Sequence, residues 1–542
     1  MAARAAHDGE TTLRHAGRYA PTAMSWKPEV EEIERRRAAA RAGAGAEATA
    51  KQHARGRLTV RERIAALVDA GSFREHGDVA GNVEPGPDGA PVFRPANVVV
   101  GAARIDGRPC VVAGDDFTIR GGAYAPAGLR KGIHADELAI RRRVPLVRLL
   151  EGGGASIAGA GAVRGRSGYD WTQPSPLNRV ALEALATVPV ACAALGPVAG
   201  HPAARLVASH YALMLREGAV VLTGGPALVE RALGRRVAKE ELGGAAVHGR
   251  NGVVDDIADD EADAFRRIRL FLSYLPANVW ELPPVASCDD PADRAEEELL
   301  AIVPRERRRA FPVRRVVEAV VDRGSWFEIG ARHGRSQVTG FARLAGRPVG
   351  VLANDCVYDG GATTAAGARK LRRFVETCDA FALPIVSFVD EPGFAIGPAA
   401  EQAATVRFGM EALFAVQQTE VPWAAVVLRR AFGVALGIHL GPEPTVFAWP
   451  SAQSGSMPVE GGVELAFRRE IEAAPDPAAR RAALEAELAA AQSVFPRAEE
   501  FGVHHLIDPR ETRAALCAWC DEIAVRLRGL AGRGPRRYTA RP

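Results

Sequence analysis

The chain repeats itself. Gly107-Arg108-Pro109 returns as Gly346-Arg347-Pro348, and the shift of 239 residues then holds without a gap as far as Gly154. At that shift Asp116 meets Asp355, Gly121-Gly122 meets Gly360-Gly361, Arg130-Lys131 meets Arg369-Lys370, and Gly154 meets Gly393. Further along the shift becomes 233, aligning Val188-Pro189 with Val421-Pro422 and Gly200 with Gly433. Upstream it is 253, where Asp69-Ala70-Gly71-Ser72-Phe73 echoes Asp322-Arg323-Gly324-Ser325-Trp326. A period this long excludes a solenoid of short repeats. It describes one fold used twice, with insertions and deletions kept to the loops, and a function that draws on both copies.

The 542 residues, 47% of them hydrophobic, allow each copy a core of its own. The expected division is a tail and helix over residues 1–50, a first domain over 51–285, a charged and Pro-rich linker over 286–309, and a second domain over 310–542. Short apolar runs at 98–100, 110–113, 146–150, 188–195 and 219–222 read as strands, and helices are expected over 29–50, 60–68, 127–143 and 203–215. In the second copy strands are expected at 349–353, 384–389, 423–428 and 446–449, with helices over 364–381, 473–491 and 511–530. Strands alternating with helices at this spacing predict an α/β layered domain with a largely parallel sheet.

Charge is nearly balanced at +4, and the Arg-rich patches at 35–37, 141–143 and 307–309 read as solvated helix faces, so no nucleic-acid partner is expected. No apolar run is long enough for a bilayer, and the N-terminus lacks a hydrophobic signal core, which predicts a cytoplasmic protein without membrane contact. Seven scattered cysteines suit a reducing compartment. Cys517-Ala518-Trp519-Cys520 reads as two core thiols within a helix rather than a redox or metal site.

The common catalytic motifs are missing: there is no phosphate-binding Walker loop, no HExxH, no paired Cys/His spacing and no GxSxG elbow. No metal is expected. What the chain offers is glycine after strands, twice over. Glu151-Gly152-Gly153-Gly154-Ala155 ends one strand and Asp390-Glu391-Pro392-Gly393-Phe394 ends its counterpart. Gly196-Pro197-Val198-Ala199-Gly200-His201-Pro202 runs from strand to helix, as does Arg429-Arg430-Ala431-Phe432-Gly433-Val434-Ala435. A turn at a helix start exposes backbone N–H groups at the positive end of the helix dipole, which is the material for holding an oxyanion. A lone turn of this kind is read as tight packing permitted by glycine. Two at matched positions point to a paired site.

These residues carry a family resemblance. Gly56-Arg57-Leu58-Thr59-Val60-Arg61-Glu62-Arg63-Ile64, Asp115-Asp116-Phe117-Thr118-Ile119-Arg120-Gly121-Gly122, Lys239-Glu240-Glu241-Leu242-Gly243-Gly244-Ala245 and Phe271-Leu272-Ser273-Tyr274-Leu275-Pro276 resemble the carboxyltransferase subunits of biotin-dependent acyl-CoA carboxylases of the propionyl-, acetyl- and methylcrotonyl-CoA types. So do Val338-Thr339-Gly340-Phe341-Ala342-Arg343, Cys378-Asp379-Ala380-Phe381 and Ala448-Trp449-Pro450, in unbroken order over residues 50–530. The resemblance implies two tandem crotonase-like (spiral ββα) domains per subunit, usually assembled as a hexamer. Acyl-CoA is expected on the first domain and carboxybiotin on the second domain of a partner subunit, each facing an oxyanion hole.

Carried onto this chain, Gly200, His201, Pro202 and Ala203 form the first hole and Gly433, Val434 and Ala435 the second. Gly121, Gly122, Gly152, Gly153, Gly154 and Ala155 line the acyl-CoA side, and Pro392, Gly393, Phe394 and Leu436 the biotin side. None of the five methionines adjoins a lysine, so biotin is expected on a separate carrier, with biotin carboxylase as another chain. The loops depart from the family pattern. Pro202 stands where a donating alanine is common and has no N–H. Val434 replaces a glycine, the stretch 436–447 is short, and Met457-Pro458-Val459-Glu460-Gly461-Gly462 replaces Met-Gly-Pro-Glu-Gly. Three readings share this frame: a carboxyltransferase, an acyl-CoA decarboxylase, and a non-catalytic scaffold beside an active paralogue.

Overall fold

The structure, a computed structural model, describes residues 25–86, 88–123, 126–154 and 177–535. Short runs rich in Val, Ala and Leu, closed by Gly or Pro, become strands because both their faces can be buried under helices. The first half supplies β1 (Arg74–Glu75), β2 (Gly81–Pro85), β3 (Pro91–Pro95), β4 (Val98–Ile105), β5 (Arg108–Asp115), β6 (Leu146–Gly152), β7 (Val190–Ala199), β8 (Tyr211–Leu215), β9 (Val220–Leu222) and β10 (Asp256–Ala258). The second supplies β11 (Phe327–Ile329), β12 (Gln337–Leu344), β13 (Arg347–Asn354), β14 (Ile385–Glu391), β15 (Trp423–Phe432), β16 (Pro444–Ala448), β17 (Gln453–Gly455) and β18 (His505–Leu506).

One sheet runs β1-β4-β5-β6-β7-β8-β10 and the other β11-β12-β13-β14-β15-β16-β18. The two orders match position for position. The hairpins β4-β5 and β12-β13 are antiparallel, and from β5 and β13 onward each sheet is parallel. The long strands β7 and β15 change partner along their length. Their first parts pair with β8 and β16, and their last three residues pair with the short strands β9 and β17. The same ends stay paired with β6 and β14, at Gly152↔Val198 and Glu391↔Ala431, so they are held on both edges just before the loops that follow.

Residues 203–215 are not one helix. A helix covers His201–Val207, and Tyr211–Leu215 is β8, paired in parallel with β7 from Ala191↔Tyr211 onward. A run buried on both faces has no period to separate helix from strand, so the partner decides. The helix expected over 29–50 breaks into Lys27–Ala42 and Ala46–His53 at Gly43 and Gly45, whose φ angles are +58° and +95°. The one expected over 473–491 is present as Pro477–Ala491, and a separate helix, Val459–Ala473, precedes it across the break at Pro475 and Pro477. The closing helix of 511–530 likewise divides into Thr512–Glu522 and Ala524–Leu530.

The halves share a core. Helix Glu261–Tyr274 lies between them, with Phe271 stacked on Tyr211 at 4.9 Å and tilted against Phe341 at 5.9 Å between ring centroids. Tyr274 stacks on Phe327 at 6.3 Å and donates its hydroxyl to the Ser325 carbonyl. Burying large rings across the seam makes the two copies one packed unit, since separating them would return that apolar area to water. Cys517 and Cys520 are buried core thiols, and burial raises both above the usual thiol range.

Candidate active site

Each long strand ends in a glycine of positive φ followed at once by a helical turn. Gly200, at φ +64°, precedes helix His201–Val207; Gly433, at φ +67°, precedes the 3-10 turn Val434–Leu436 and the short helix Gly437–Leu440. Both glycine N–H groups are already engaged. Gly200 donates to the Leu222 carbonyl at 3.1 Å and Gly433 to the Gly455 carbonyl at 3.4 Å, so each is tied to the extra short strand. The glycines therefore set the turn, and the first-turn amides beyond them are the ones a helix start leaves without an intrahelical partner. In the first loop those amides belong to residues 201 and 203, with none at Pro202. In the second they belong to Val434, Ala435 and Leu436.

In the first half three strand-end loops meet backbone to backbone. Gly153 donates to the Gly121 carbonyl at 3.2 Å. A Cβ on Gly122 would stand 2.3 Å from the Glu151 carbonyl oxygen, one on Gly152 2.7 Å from that of Gly122, and one on Gly154 2.8 Å from that of Ala199. Gly121-Gly122, Gly152-Gly154 and Ala199-His201 thus come together because no side chain separates them. Ala155 lies outside the described residues. Pro202 is buried and His201 half-buried. Burial, with the Arg205 and Arg148 charges adding to it, lowers the His201 imidazole from its ordinary 6.5 to about 4, so the ring is neutral at pH 7.

In the second half the loops after β13 and β14 also meet backbone to backbone, the Thr363 N–H donating to the Gly393 carbonyl at 3.1 Å and the Ala395 N–H to that of Thr363 at 3.0 Å. Phe394 pairs with Thr363 across an isolated bridge, and its ring packs where a Cβ on Gly409 would stand, 2.4 Å away, so it anchors the loop to helix Thr405–Gln417. Pro392 and Gly393 are half-buried beside it. Val434 is 63% exposed at the tip of the loop, and Leu436 lines a cavity of about 410 Å³ with Val427, Ala431, Leu440 and Val446 on one part of its wall and Gln453, Ser454, Ser456 and Arg497 on another.

Beneath both sites lies a buried carboxylate. Glu151, one residue from the end of β6, has no solvent exposure and accepts from Arg57 at 2.8 Å, Arg63 at 2.5 Å and Gln52 at 3.0 Å. Its repeat partner Asp390 is equally buried and holds Arg429 at 2.8 Å and Arg430 at 2.7 Å. Among the described residues no three His, Cys, Asp or Glu side chains gather as a metal-ligating group. None of their helices is long and apolar enough to cross a membrane.

Known proteins place this geometry. A family model, the carboxyl transferase domain, matches residues 51–526. The chain belongs to that family. It is 33% identical over 505 residues to the mitochondrial propionyl-CoA carboxylase beta chain of Sus scrofa, covering 91% of this chain and 90% of that one. It is 33% identical over 512 residues to the propionyl-CoA carboxylase carboxyltransferase subunit of Haloferax mediterranei, covering 91% and 96%. It is also 30% identical over 516 residues to the methylmalonyl-CoA decarboxylase alpha subunit of Veillonella parvula, covering 94% and 98%. Among solved structures, hexameric transcarboxylase 12S with methylmalonyl-coenzyme A and methylmalonic acid bound superposes with a TM-score of 0.83 at 30% identity, covering 96% of this chain and 98% of that one. A single-chain long-chain acyl-CoA carboxylase superposes at 0.78 and 29% identity, covering 92% of this chain and 49% of that one. The protein is thus a carboxyltransferase built from two tandem crotonase-like domains, in the family of biotin-dependent acyl-CoA carboxylases.

Sequence reading passed over the groups that support the second site. Asn354 and Asp115 are repeat partners at the shift of 239, and each accepts from the backbone N–H of the buried carboxylate, Asp390 at 3.0 Å and Glu151 at 3.4 Å. The period itself is the signal that would have found them. His439 carried no such signal, because its partner at the shift of 233 is Leu206.

Proposed function

We propose that this carboxyltransferase moves a carboxyl group between carboxybiotin and the α carbon of an acyl-CoA, with the thioester on residues 51–285 and biotin on residues 310–542. The observation that supports the reading is the duplicated helix start. His201 and Val434 are repeat partners at a shift of 233, each following a positive-φ glycine whose own N–H is tied to a short strand. Amides fixed before the reaction stabilise charge where it gathers, with no cost of reorienting solvent. At the first loop the oxygen is that of the thioester as the α proton leaves, and the donors are the amides at 201 and 203. Gly121, Gly122, Gly152, Gly153 and Gly154, without side chains, leave room for the acyl-CoA.

At the second loop the oxygen is the ureido oxygen of biotin, held by the amides of Val434 and Ala435. Uncharged amide donors beside a partly apolar cavity of about 410 Å³ suit a neutral bicyclic ring on a thioether frame. Bound carboxybiotin would supply the carbon dioxide unit, and the biotin anion left by its departure would take the α proton. The chain contributes the two oxygen sites, their fixed separation, and Leu436, Pro392, Gly393 and Phe394 as walls that exclude water. No catalytic side-chain dyad is needed. The carrier and the biotin carboxylase are separate chains, and the assembly is a hexamer like that of transcarboxylase 12S.

The test is carboxylation of an acyl-CoA panel with labelled bicarbonate and a carboxybiotin-generating partner, in wild type and Pro202→Ala. Label in at least one acyl-CoA with wild type is expected. Label with Pro202→Ala alone would make the first hole incompetent in the native chain. No label with either protein would overturn the reading.

A further inference from the structure

A buried polar chain that the proposed chemistry does not use lies under the second loop. His439, on helix Gly437–Leu440, has no solvent exposure, nor do Ser387 on β14, Glu391 at its end, Asn354 at the end of β13, or Thr363. Nδ1 of His439 lies 3.0 Å from Ser387 Oγ, and its Nε2 lies 3.4 Å from Glu391 Oε2 and 3.3 Å from Asn354 Nδ2. Glu391 accepts from Thr363 Oγ1 at 2.6 Å and from the Gly393 N–H at 2.9 Å. Asn354 Nδ2 reaches the Gly361 carbonyl at 3.1 Å. One connected set therefore touches all three loops of the second site: the glycine pair after β13, Pro392–Phe394 after β14, and, through the helix that continues it, Gly433–Leu436 after β15.

A Ser–His–Glu order suggests nucleophilic catalysis. Ser387 is 0% exposed at the middle of a central strand, so no substrate carbonyl reaches its hydroxyl. Holding is what the arrangement can do. In the first half the equivalent layer is built differently: Arg148, the repeat partner of Ser387, donates to the Arg205 and Ala208 carbonyls at 3.1 and 2.8 Å and braces the end of helix His201–Val207. Each half thus has a buried polar group on the same strand position tying down the helix after its loop.

We infer that His439 is a positioning residue for the second oxyanion pocket, locking Gly433–Leu436 against the Gly361 and Gly393 loops so that the Val434 and Ala435 amides keep one direction. The inference rests on the reading that this pocket receives biotin. A satisfied buried network makes its elements rigid, and a misplacement of about 1 Å at a reacting centre costs on the order of 10²-fold in rate.

The test uses the full-length protein carrying His439→Gln or Ser387→Ala. Hydrogen–deuterium exchange is read for peptides covering 358–364, 391–396 and 431–440, with the first loop at 197–207 as reference. Carboxyl transfer from methylmalonyl-CoA to free biotin is measured alongside. The expectation is exchange faster by about tenfold in the three second-half peptides, set against unchanged exchange at the first loop. The rate of transfer to biotin falls on the order of 10²-fold while KM for the thioester holds. Unchanged exchange in the second-half peptides, or acceleration spread equally to 197–207, overturns the inference. Should His439→Gln fail to fold, Ser387→Ala, which removes only one hydroxyl, decides by itself. Val434→Pro separates the two levels. If it leaves transfer to biotin at the wild-type rate, the assignment of the pocket falls; if it abolishes transfer while the His439 and Ser387 variants behave as wild type, only the positioning role falls.

Discussion

Glu151 and Asp390 stand one residue from the end of matched strands in the two sheets, yet the chain neutralises them from different segments. Glu151 is met by Arg57 and Arg63, which arrive from the segment before the first sheet. Asp390 is met by Arg429 and Arg430, which sit on the neighbouring strand β15. At the matched position on β7 stands Gly196, where a Cβ would lie 2.3 Å from a Glu151 carboxylate oxygen. A longer acid thus requires a glycine beside it and distant arginines, whereas a shorter acid admits arginines beside it. Duplication preserved the buried charge at the strand end, and each copy found its own way to pair it, because an unpaired carboxylate there is too costly to retain.

The sharpest way to break that comparison is Arg63→Ala. Arg63 is 1% exposed and bridges Glu151 and Glu261, so its loss takes the arginine from Glu261 and leaves Glu151 with Arg57 and Gln52 alone. Chemical denaturation is expected to show a loss of about 3–5 kcal/mol. Next comes Val434→Pro, which removes from the second loop the amide equivalent to that of His201 in the first. Proline is tolerated at a first helical position, so the fold should hold while the rate of carboxyl transfer drops about 10²–10³-fold. The reverse change, Pro202→Ala, should raise turnover in a carboxylation assay, and no change there would mean that position 202 does not face the thioester oxygen.

Asp390→Asn should cost less than Arg63→Ala. Arg429 keeps the Arg307 and Arg309 carbonyls, Arg430 keeps the Gly360 carbonyl, and the carboxamide still accepts. A loss of about 1–3 kcal/mol is expected from the same denaturation measurement. A loss equal to that of Arg63→Ala would show the two charge pairs to be equivalent after all.

The smallest effects are pH slopes of opposite sign. His201 is held at about 4 against an ordinary 6.5, so the folded state binds fewer protons there and loses stability as pH falls from 6.5 towards 4. Asp256 is raised from 3.8 to about 6, by burial first and by the neighbouring Asp255 charge, partly offset by the hydrogen bond from Tyr211. It binds more protons when folded, so its stability contribution is lost as pH rises from 3.8 to 6. Melting temperatures across that range should separate them. The difference between wild type and His201→Gln should shrink on acidification, and Asp256→Asn should gain on wild type as pH rises.

Much of this protein was settled along the chain. The shift of 239 residues announced two copies of one sheet, and the glycines after the strands marked where the loops would meet, because a Gly-rich turn requires no partner to be recognisable. Buried parallel strands such as Tyr211–Leu215 could not be told from helix, since residues buried on both faces leave no period. Only the tertiary structure showed that the N–H groups of Gly200 and Gly433 are engaged by β9 and β17, which is why the proposed donors are the amides beyond them. Only it joined His439, Ser387, Glu391, Asn354 and Thr363, which come from four separate segments. Local spacing fixes which residues share a turn or a strand face; which distant carbonyl, carboxylate or imidazole satisfies a buried polar group is set by how the strands align in the sheet.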